Sequence, residues 1–247
     1  MKLIVNFKHD FEEYMRQTLI SNNFKNIPDG REKLYVHYIN AMNRRIVSHK
    51  RKILKSGVFN CPKNFRTGLQ YLEDAVIKGK NLLPWQSKNI LNSGYNDEMC
   101  NDWGIYHLHL GETKEDESDF IKRTRLVLYC LIDLHAVYFI QILEHGKIHI
   151  NEIVEIAEKN WPDVLYQNKN RNPGVSNITA KIENLQASLL KYENYVKENF
   201  EQFARQIKRI IHIEAAELEF HLFIDPQSNI AYAEELNSKI HFKLGLL

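Results

Sequence analysis

Residues 125–143 read RLVLYCLIDLHAVYFIQIL and decide the fold of the chain. Two runs rich in aliphatic, β-branched and aromatic side chains, RLVLYCLI and AVYFIQIL, flank the short segment DLH. Strand-forming residues on both sides of so short a connection predict an antiparallel hairpin. We therefore expect two neighbouring strands at the centre of the protein.

A third strand is predicted just upstream, where residues 105–110 read IYHLHL. Successive side chains of a strand point to opposite faces, so the tyrosine and the two leucines share one face. His107 and His109 share the other. Three strands joined in chain order predict an antiparallel β-meander with one apolar face and one face that displays two imidazoles.

Helical patterns surround the predicted meander. Residues 1–100 are read as mainly helical, with a helix over Arg31–Leu54, and a long helix is predicted over Asn177–Ile211. The last thirty residues indicate a C-terminal β-hairpin. The predicted fold class is α+β, with the helical region 1–100 and an α+β region 101–247 forming either two parts or one continuous domain.

Composition indicates an ordinary globular protein. The chain has 247 residues, of which 44% are hydrophobic and 26% charged. No run approaches the roughly 18 to 20 apolar residues of a membrane-spanning helix, and the N-terminal residues lack a signal-peptide pattern. The three cysteines are widely spaced, which favours reduced thiols. We expect a cytoplasmic protein without a membrane partner.

Positive charge is concentrated in residues 44–55, RRIVSHKRKILK, although the formal net charge of the chain is only +2. This segment falls in the second half of the predicted helix and contains no acidic residue. Its side chains could neutralise the phosphates of RNA, or they could be a solvated helix end that favours cations through the helix dipole. The candidate nucleic-acid-binding residues are Arg44, Arg45, Lys50, Arg51 and Lys52.

Four residues around the meander are candidates for catalysis. His107 and His109 share a strand face, Arg125 begins the next strand, and His145 follows the third. Two imidazoles can act as general base and general acid, and arginine can bind a phosphate. These residue types predict metal-independent cleavage of RNA, with no cofactor.

Other interpretations fit the same residues. His107 and His109 with a further histidine, His145 or His149, could bind zinc or another divalent metal and form a hydrolase. The imidazoles could also be structural, and Arg125 could pair with the acidic segment 112–119. A third alternative is a non-enzymatic regulatory protein that binds nucleic acid or protein.

The run HLHLGETKEDESDFIKRTRLVLYCLIDLHAVYFIQILEHG, within residues 105–146, resembles the sheet of RelE-like and barnase-type ribonuclease toxins. These proteins belong to bacterial toxin–antitoxin and phage-defence systems. The resemblance implies an endoribonuclease with a small antitoxin-like protein partner. It also implies catalysis by the histidine and arginine side chains that the sheet displays, and it does not extend to the flanking helices or the C-terminal hairpin.

Overall fold

The computed structural model describes residues 2–146, 149–171, 175–211, 217–225 and 228–246. Within these ranges the chain forms eight α-helices and two four-stranded sheets, which confirms the predicted α+β class. No helix in the described ranges combines the length and apolar character needed to cross a membrane.

The helices are α1 (Phe7–Ser21), α2 (Arg31–Asn43), α3 (Arg66–Lys78), α4 (Glu98–Trp103), α5 (Ile150–Asn160), α6 (Pro162–Arg171), α7 (Val175–Glu198) and α8 (Phe200–Ile211). The strands are β1 (Lys2–Val5), β2 (Lys52–Lys55), β3 (Ile105–His109), β4 (Leu126–Ile132), β5 (Ala136–Glu144), β6 (Glu217–Ile224), β7 (Ile230–Glu235) and β8 (His241–Leu246).

The chain divides into two compact units, each built from segments distant in sequence. The first unit comprises Met1–Asn22, Pro28–Val36 and Thr179–Leu247, and the second comprises Asn23–Ile27 and His37–Ile178. The sequence placed its division at residue 100, where neither unit has a boundary. Chain order could not indicate that the first and last segments belong to one unit.

The first unit contains the sheet β1-β6-β7-β8, in which β1 pairs in parallel with β6 and the other pairs are antiparallel. The predicted C-terminal hairpin is therefore part of a larger sheet. Phe203 of α8 packs against Phe220 and Phe242 on this sheet. The predicted helix over Asn177–Ile211 is divided at Asn199, whose side-chain amide donates to the Tyr195 carbonyl.

The second unit contains the sheet β2-β5-β4-β3. Strands β3, β4 and β5 form the predicted antiparallel meander. The prediction of an antiparallel sheet is met only in part, because β2 adds to β5 in parallel.

Both faces of this sheet are covered. Leu69, Leu72 and Val76 of α3 pack in one apolar cluster with Leu108 and Leu110. The opposite cluster joins strand residues to side chains of α5 and α6. Its buried members are Met99, Ile105, Val127, Tyr129, Leu131, Ala136, Tyr138, Ile140, Ile153, Ala157 and Leu165. Because His107 and His109 alternate with Leu108, they lie on this second, helix-covered side.

The prediction of a helix over Arg31–Leu54 is wrong beyond Asn43. Helix α2 ends there, residues 45–51 have no regular structure, and Lys52–Lys55 form β2. The edge of β5 supplies backbone partners: Lys52 N–H donates to the His135 carbonyl at 2.9 Å and Ser56 N–H to the Phe139 carbonyl at 3.0 Å. Pairing with a distant strand therefore overrides the local helical pattern.

Candidate functional site

Three of the four predicted catalytic side chains come together in the second unit. One ring nitrogen from each of His107, His109 and His145 lies within 4.8 Å of the others. The His145 ring stands edge-on to His107, with centroids 4.8 Å apart, and nearly parallel to His109 at 5.7 Å. This cluster, called the histidine cluster below, joins residues from two ends of the meander.

Strand register places His107 and His109. They are opposite Tyr129 and Val127 of β4 and share one face because they are two residues apart. His109 is 1% exposed, and its Nδ1 accepts a hydrogen bond from the Thr124 backbone N–H at 3.3 Å. The loop that enters β4 therefore fixes the His109 ring.

The end of β5 places His145. Its backbone N–H donates to the Arg125 carbonyl at 2.9 Å. The Tyr129 hydroxyl donates to the Glu144 carbonyl at 3.1 Å and accepts from the Gly146 N–H at 3.3 Å. Contacts on both sides of His145 thus hold its exposed side chain beside β3.

Asp97 belongs to the site, although it was not among the residues predicted from the sequence. It is the N-cap of α4, where its Oδ1 accepts from the Cys100 N–H at 3.2 Å, and its Oδ2 lies 3.7 Å from Nδ1 of His107. Gly104, with φ of +65°, ends α4 directly before β3. A capping pattern in the sequence would predict the helix start at Asp97, but not its proximity to His107.

Two ring nitrogens in the cluster lack partners. Nε2 of His107 and Nε2 of His109 are buried, and neither has a hydrogen bond to any residue that the structure describes. An unsatisfied buried polar atom costs about 1–3 kcal/mol, and its presence in a folded protein calls for a physical reason. A ligand that bonds to both nitrogens would remove this cost.

The environment of the cluster keeps its imidazoles neutral at pH 7. Burial lowers the pKa of His107, although the Asp97 carboxylate opposes the shift. Burial, followed by the neighbouring histidines and Arg123, lowers the pKa of His109 to about 4. Adjacent groups partly remove water from the His145 ring, and this desolvation, followed by the charge of Arg123, lowers the pKa of His145 as well. All three rings are therefore available as bases or as metal ligands.

A pocket of about 350 Å³ opens beside the cluster. Tyr95, Asp97, His107, Tyr129 and His145 are among the residues that line it. The pocket combines aromatic surface with a carboxylate and two imidazoles. It could therefore admit a small polar or aromatic group to the exposed side of the cluster.

Arg125, the fourth predicted catalytic residue, has a carboxylate partner at the surface. Its side chain is 81% exposed and forms an ion pair with Glu144 at 2.8 Å, whereas the sequence offered the acidic segment 112–119 as its alternative partner. Arg123, two residues earlier, is the arginine whose charge acts on all three rings of the cluster. Both arginines lie in the segment that leads into β4, and the pattern of residue types could not distinguish them.

The histidine cluster also has the composition of a metal site. It is the one group of three or more His, Cys, Asp or Glu ligand atoms found together in the described part of the chain. The other predicted ligand, His149, instead pairs with Glu152 at 3.1 Å. Three neutral imidazoles can bind zinc and leave a position open.

The basic run of residues 44–55 is divided between interior and surface. Arg44 is 1% exposed and donates to the backbone carbonyls of Tyr95, Asn92 and Ser93. Arg51, 8% exposed, donates from Nε to the Asp133 carbonyl at 2.6 Å. These two guanidinium groups therefore bind backbone carbonyls in the interior of the second unit. The exposed candidates that remain for phosphate contact are Arg45, Lys50 and Lys52.

Comparison with models of known protein families, with curated proteins and with solved structures finds no match.

Proposed function

We propose that the protein is a metal-independent endoribonuclease whose active site is the histidine cluster. The observation that carries this proposal is the meeting of His107, His109 and His145, with Asp97 and the charge of Arg123 close by. Cleavage of RNA by this chemistry needs a base, an acid and a cation at one phosphate. The histidine cluster offers candidates for the base and the acid, and Arg123 is the candidate for the cation.

The base candidate is His107. Its imidazole is neutral because burial lowers its pKa, and Asp97 lies 3.7 Å from its Nδ1. A carboxylate in this position orients an imidazole and stabilises the imidazolium that forms when it takes a proton. His107 would remove the proton from the ribose 2′-hydroxyl, which then attacks the phosphorus.

The acid candidate is His145, which is exposed at the pocket. A bound phosphate is an anion, and an anion in contact with an imidazole raises its pKa. Substrate binding would thus supply the protonated ring that the departing 5′-oxygen needs. Arg123 would attract the phosphate, since its side chain is exposed and its charge reaches the cluster.

The test compares wild-type protein with His107→Asn and His109→Asn on a randomised pool of short labelled RNAs in the presence of EDTA. We expect cleavage by wild type and a loss of about 10²- to 10⁴-fold in each variant. His241→Asn is the matched control, because His241 is an exposed strand histidine paired with Glu234 in the first unit. Retained cleavage in both cluster variants, or RNA binding by wild type without turnover, would contradict the proposal.

The resemblance to ribonuclease toxins adds a cellular role and an antitoxin-like partner to this proposal. Induced expression in a bacterial host should arrest growth with wild type and not with His107→Asn at equal protein level. Growth arrest by both would mean that toxicity does not come from the cluster.

A divalent-metal hydrolase is the second candidate, and one observation favours it. Nitrogens of three neutral histidines lie within 4.8 Å of one another, a composition that zinc accepts. Elemental analysis of purified protein should then find one metal ion per chain that His145→Ala loses. Activity that survives EDTA, with no bound metal, would exclude this candidate.

A further inference from the structure

The contacts made by the Nδ1 atoms of His107 and His109 also indicate which ring nitrogens carry protons. A neutral imidazole has one N–H and one lone pair, and the contact made by one nitrogen fixes the role of the other. His107 and His109 make opposite contacts on their Nδ1 atoms, so their Nε2 atoms have opposite roles.

His109 is a donor through Nε2. The Thr124 N–H donates to Nδ1 of His109 at 3.3 Å, so this nitrogen holds the lone pair and the proton resides on Nε2. Thr124 is fixed in turn, because its hydroxyl donates to the Leu126 carbonyl at 2.6 Å and accepts from the Leu110 N–H at 3.1 Å. The junction of β3 and β4 therefore sets this tautomer.

His107 is an acceptor through Nε2. The Asp97 carboxylate, 3.7 Å from Nδ1, can only accept hydrogen bonds, and its negative charge favours a proton on that nitrogen. Asp97 is itself held by the Cys100 N–H. The lone pair of His107 then lies on Nε2, the nitrogen that is buried and unpartnered among the described residues.

We propose that His107 and His109 form a fixed acceptor–donor pair that binds one hydroxyl group, the nucleophile of the reaction. A metal ion would need lone pairs on both Nε2 atoms, and a phosphate oxygen would need protons on both. A hydroxyl group donates one hydrogen bond and accepts another, which matches this pair. The inference rests on the proposed function, since it names the group on which His107 acts.

The proton balance of the step follows from these roles. As the bond from the hydroxyl oxygen to phosphorus forms, the hydroxyl proton moves to Nε2 of His107. The bond from phosphorus to the 5′-oxygen breaks, and that oxygen takes a proton from the imidazolium of His145. His109 keeps its proton and holds the attacking oxygen in place. Asp97 is a positioning residue, because it acts through His107.

The first experiment observes the tautomers directly, by ¹⁵N NMR of histidine-labelled protein at pH 7.5 without substrate. We expect the proton of His107 on Nδ1 and that of His109 on Nε2. Lone pairs on both Nε2 atoms, or a zinc titration that places the metal on both, would overturn the proposal. This readout needs no activity, so it can fail or succeed independently of the proposed ribonuclease function.

The second experiment tests Asp97 with Asp97→Asn. Asparagine keeps an oxygen to cap α4, but its amide N–H would face Nδ1 of His107 and reverse the tautomer. We expect about a 100-fold loss of kcat or more, with unchanged thermal unfolding and a His107 ¹⁵N pattern of the opposite tautomer. The matched control is Asp102→Asn, an exposed carboxylate on the same helix. An unchanged His107 tautomer in Asp97→Asn would refute the role of Asp97.

The third experiment identifies the source of the hydroxyl, which is either the ribose or water. An RNA with a single 2′-deoxyribose at the cleavage position should not be cleaved by the wild-type protein. The same RNA with a ribose at that position should be cleaved to a 2′,3′-cyclic phosphate. That result assigns the pair to the ribose hydroxyl. Cleavage of both substrates with incorporation of ¹⁸O from labelled water would assign it to water instead. Cleavage of both without ¹⁸O would show that neither hydroxyl attacks and would overturn the proposal.

Discussion

Two groups of strand histidines in this protein have opposite environments. In the first unit, His221 contacts Asp10 through Nδ1 at 3.2 Å and Glu219 through Nε2 at 2.9 Å. His241 contacts Glu234 through Nε2 at 2.7 Å. In the second unit, His109 is buried and His107 is half-buried, and the buried Nε2 atoms of both have no partner among the described residues. The Nε2 atoms of His221 and His241 thus have carboxylate partners, whereas the Nε2 atoms of His107 and His109 have none among the described residues.

Unpaired ring nitrogens distinguish the histidine cluster from the other strand histidines. Both sets of histidines lie on strands beside aromatic residues, so the residue type and the strand setting alone do not separate them. Burial without a partner costs free energy, so a folded chain retains it only where something else is gained. The unpaired nitrogens, rather than the residue type, therefore direct attention to the histidine cluster.

The largest effect is expected from His109→Leu. Removal of the donor should reduce cleavage by about 10²- to 10⁴-fold. Leucine removes the unsatisfied Nε2 atom, but it also removes the acceptor of the Thr124 N–H. Because these two effects oppose each other, the free energy of unfolding should change by about 1 kcal/mol or less. Cleavage assays and urea denaturation measure the two quantities. A variant that is both inactive and strongly destabilised would mean that His109 is a structural residue.

The pH dependence of stability should differ between wild type and His109→Leu. The pKa of His109 is about 4 in the folded chain, below the ordinary value of 6.5, so the unfolded chain binds the proton first as the pH falls. The neutral His109 ring therefore contributes to the free energy of unfolding above pH 6.5, and this contribution is lost as the pH falls toward 4. The shift corresponds to about 3 kcal/mol. Wild type should lose this amount relative to the variant between pH 7 and 4, measured by urea denaturation at each pH, and parallel curves would contradict the shift.

His221→Leu should have the reverse phenotype of His109→Leu. Asp10 would keep the Leu222 N–H, at 2.8 Å, but lose its imidazole partner. The expected loss in free energy of unfolding is about 1 kcal/mol, reduced by the partial exposure of His221. RNA cleavage should not change. If His221→Leu lost cleavage activity but had the same urea midpoint as wild type, His221 would have a functional role and the proposed difference between the two groups of histidines would be wrong.

The smallest effect is expected from Arg125→Gln. Its exposed ion pair with Glu144 should contribute about 0.5 kcal/mol or less, and catalysis should be unaffected. Arg123→Gln should instead raise KM about tenfold through the loss of a phosphate contact. Steady-state kinetics of the two variants measure this difference. Equal KM values for Arg123→Gln and Arg125→Gln would show that Arg123 does not contact the substrate.

The sequence predicted local features where local physics decides them. Apolar alternation was sufficient to predict β3 and the shared face of His107 and His109, and two β-prone runs with a three-residue connection were sufficient to predict β4 and β5. The same reasoning failed at residues 44–55, because helical periodicity is a local signal and pairing of β2 with β5 is a distant one. It also predicted that Arg44 and Arg51 contact nucleic acid, although their guanidinium groups donate hydrogen bonds to backbone carbonyls in the interior.

Residue patterns along the chain were enough to predict the α+β class and the meander, and they selected His107, His109 and His145 as candidates. The folded chain was needed to show that His145 lies beside His107 and His109, that Asp97 lies near Nδ1 of His107, and that the Thr124 N–H donates to His109. The reason is that periodicity fixes the direction of a side chain within its own element. Contacts between elements depend on register, loop paths and burial, which many distant residues decide together.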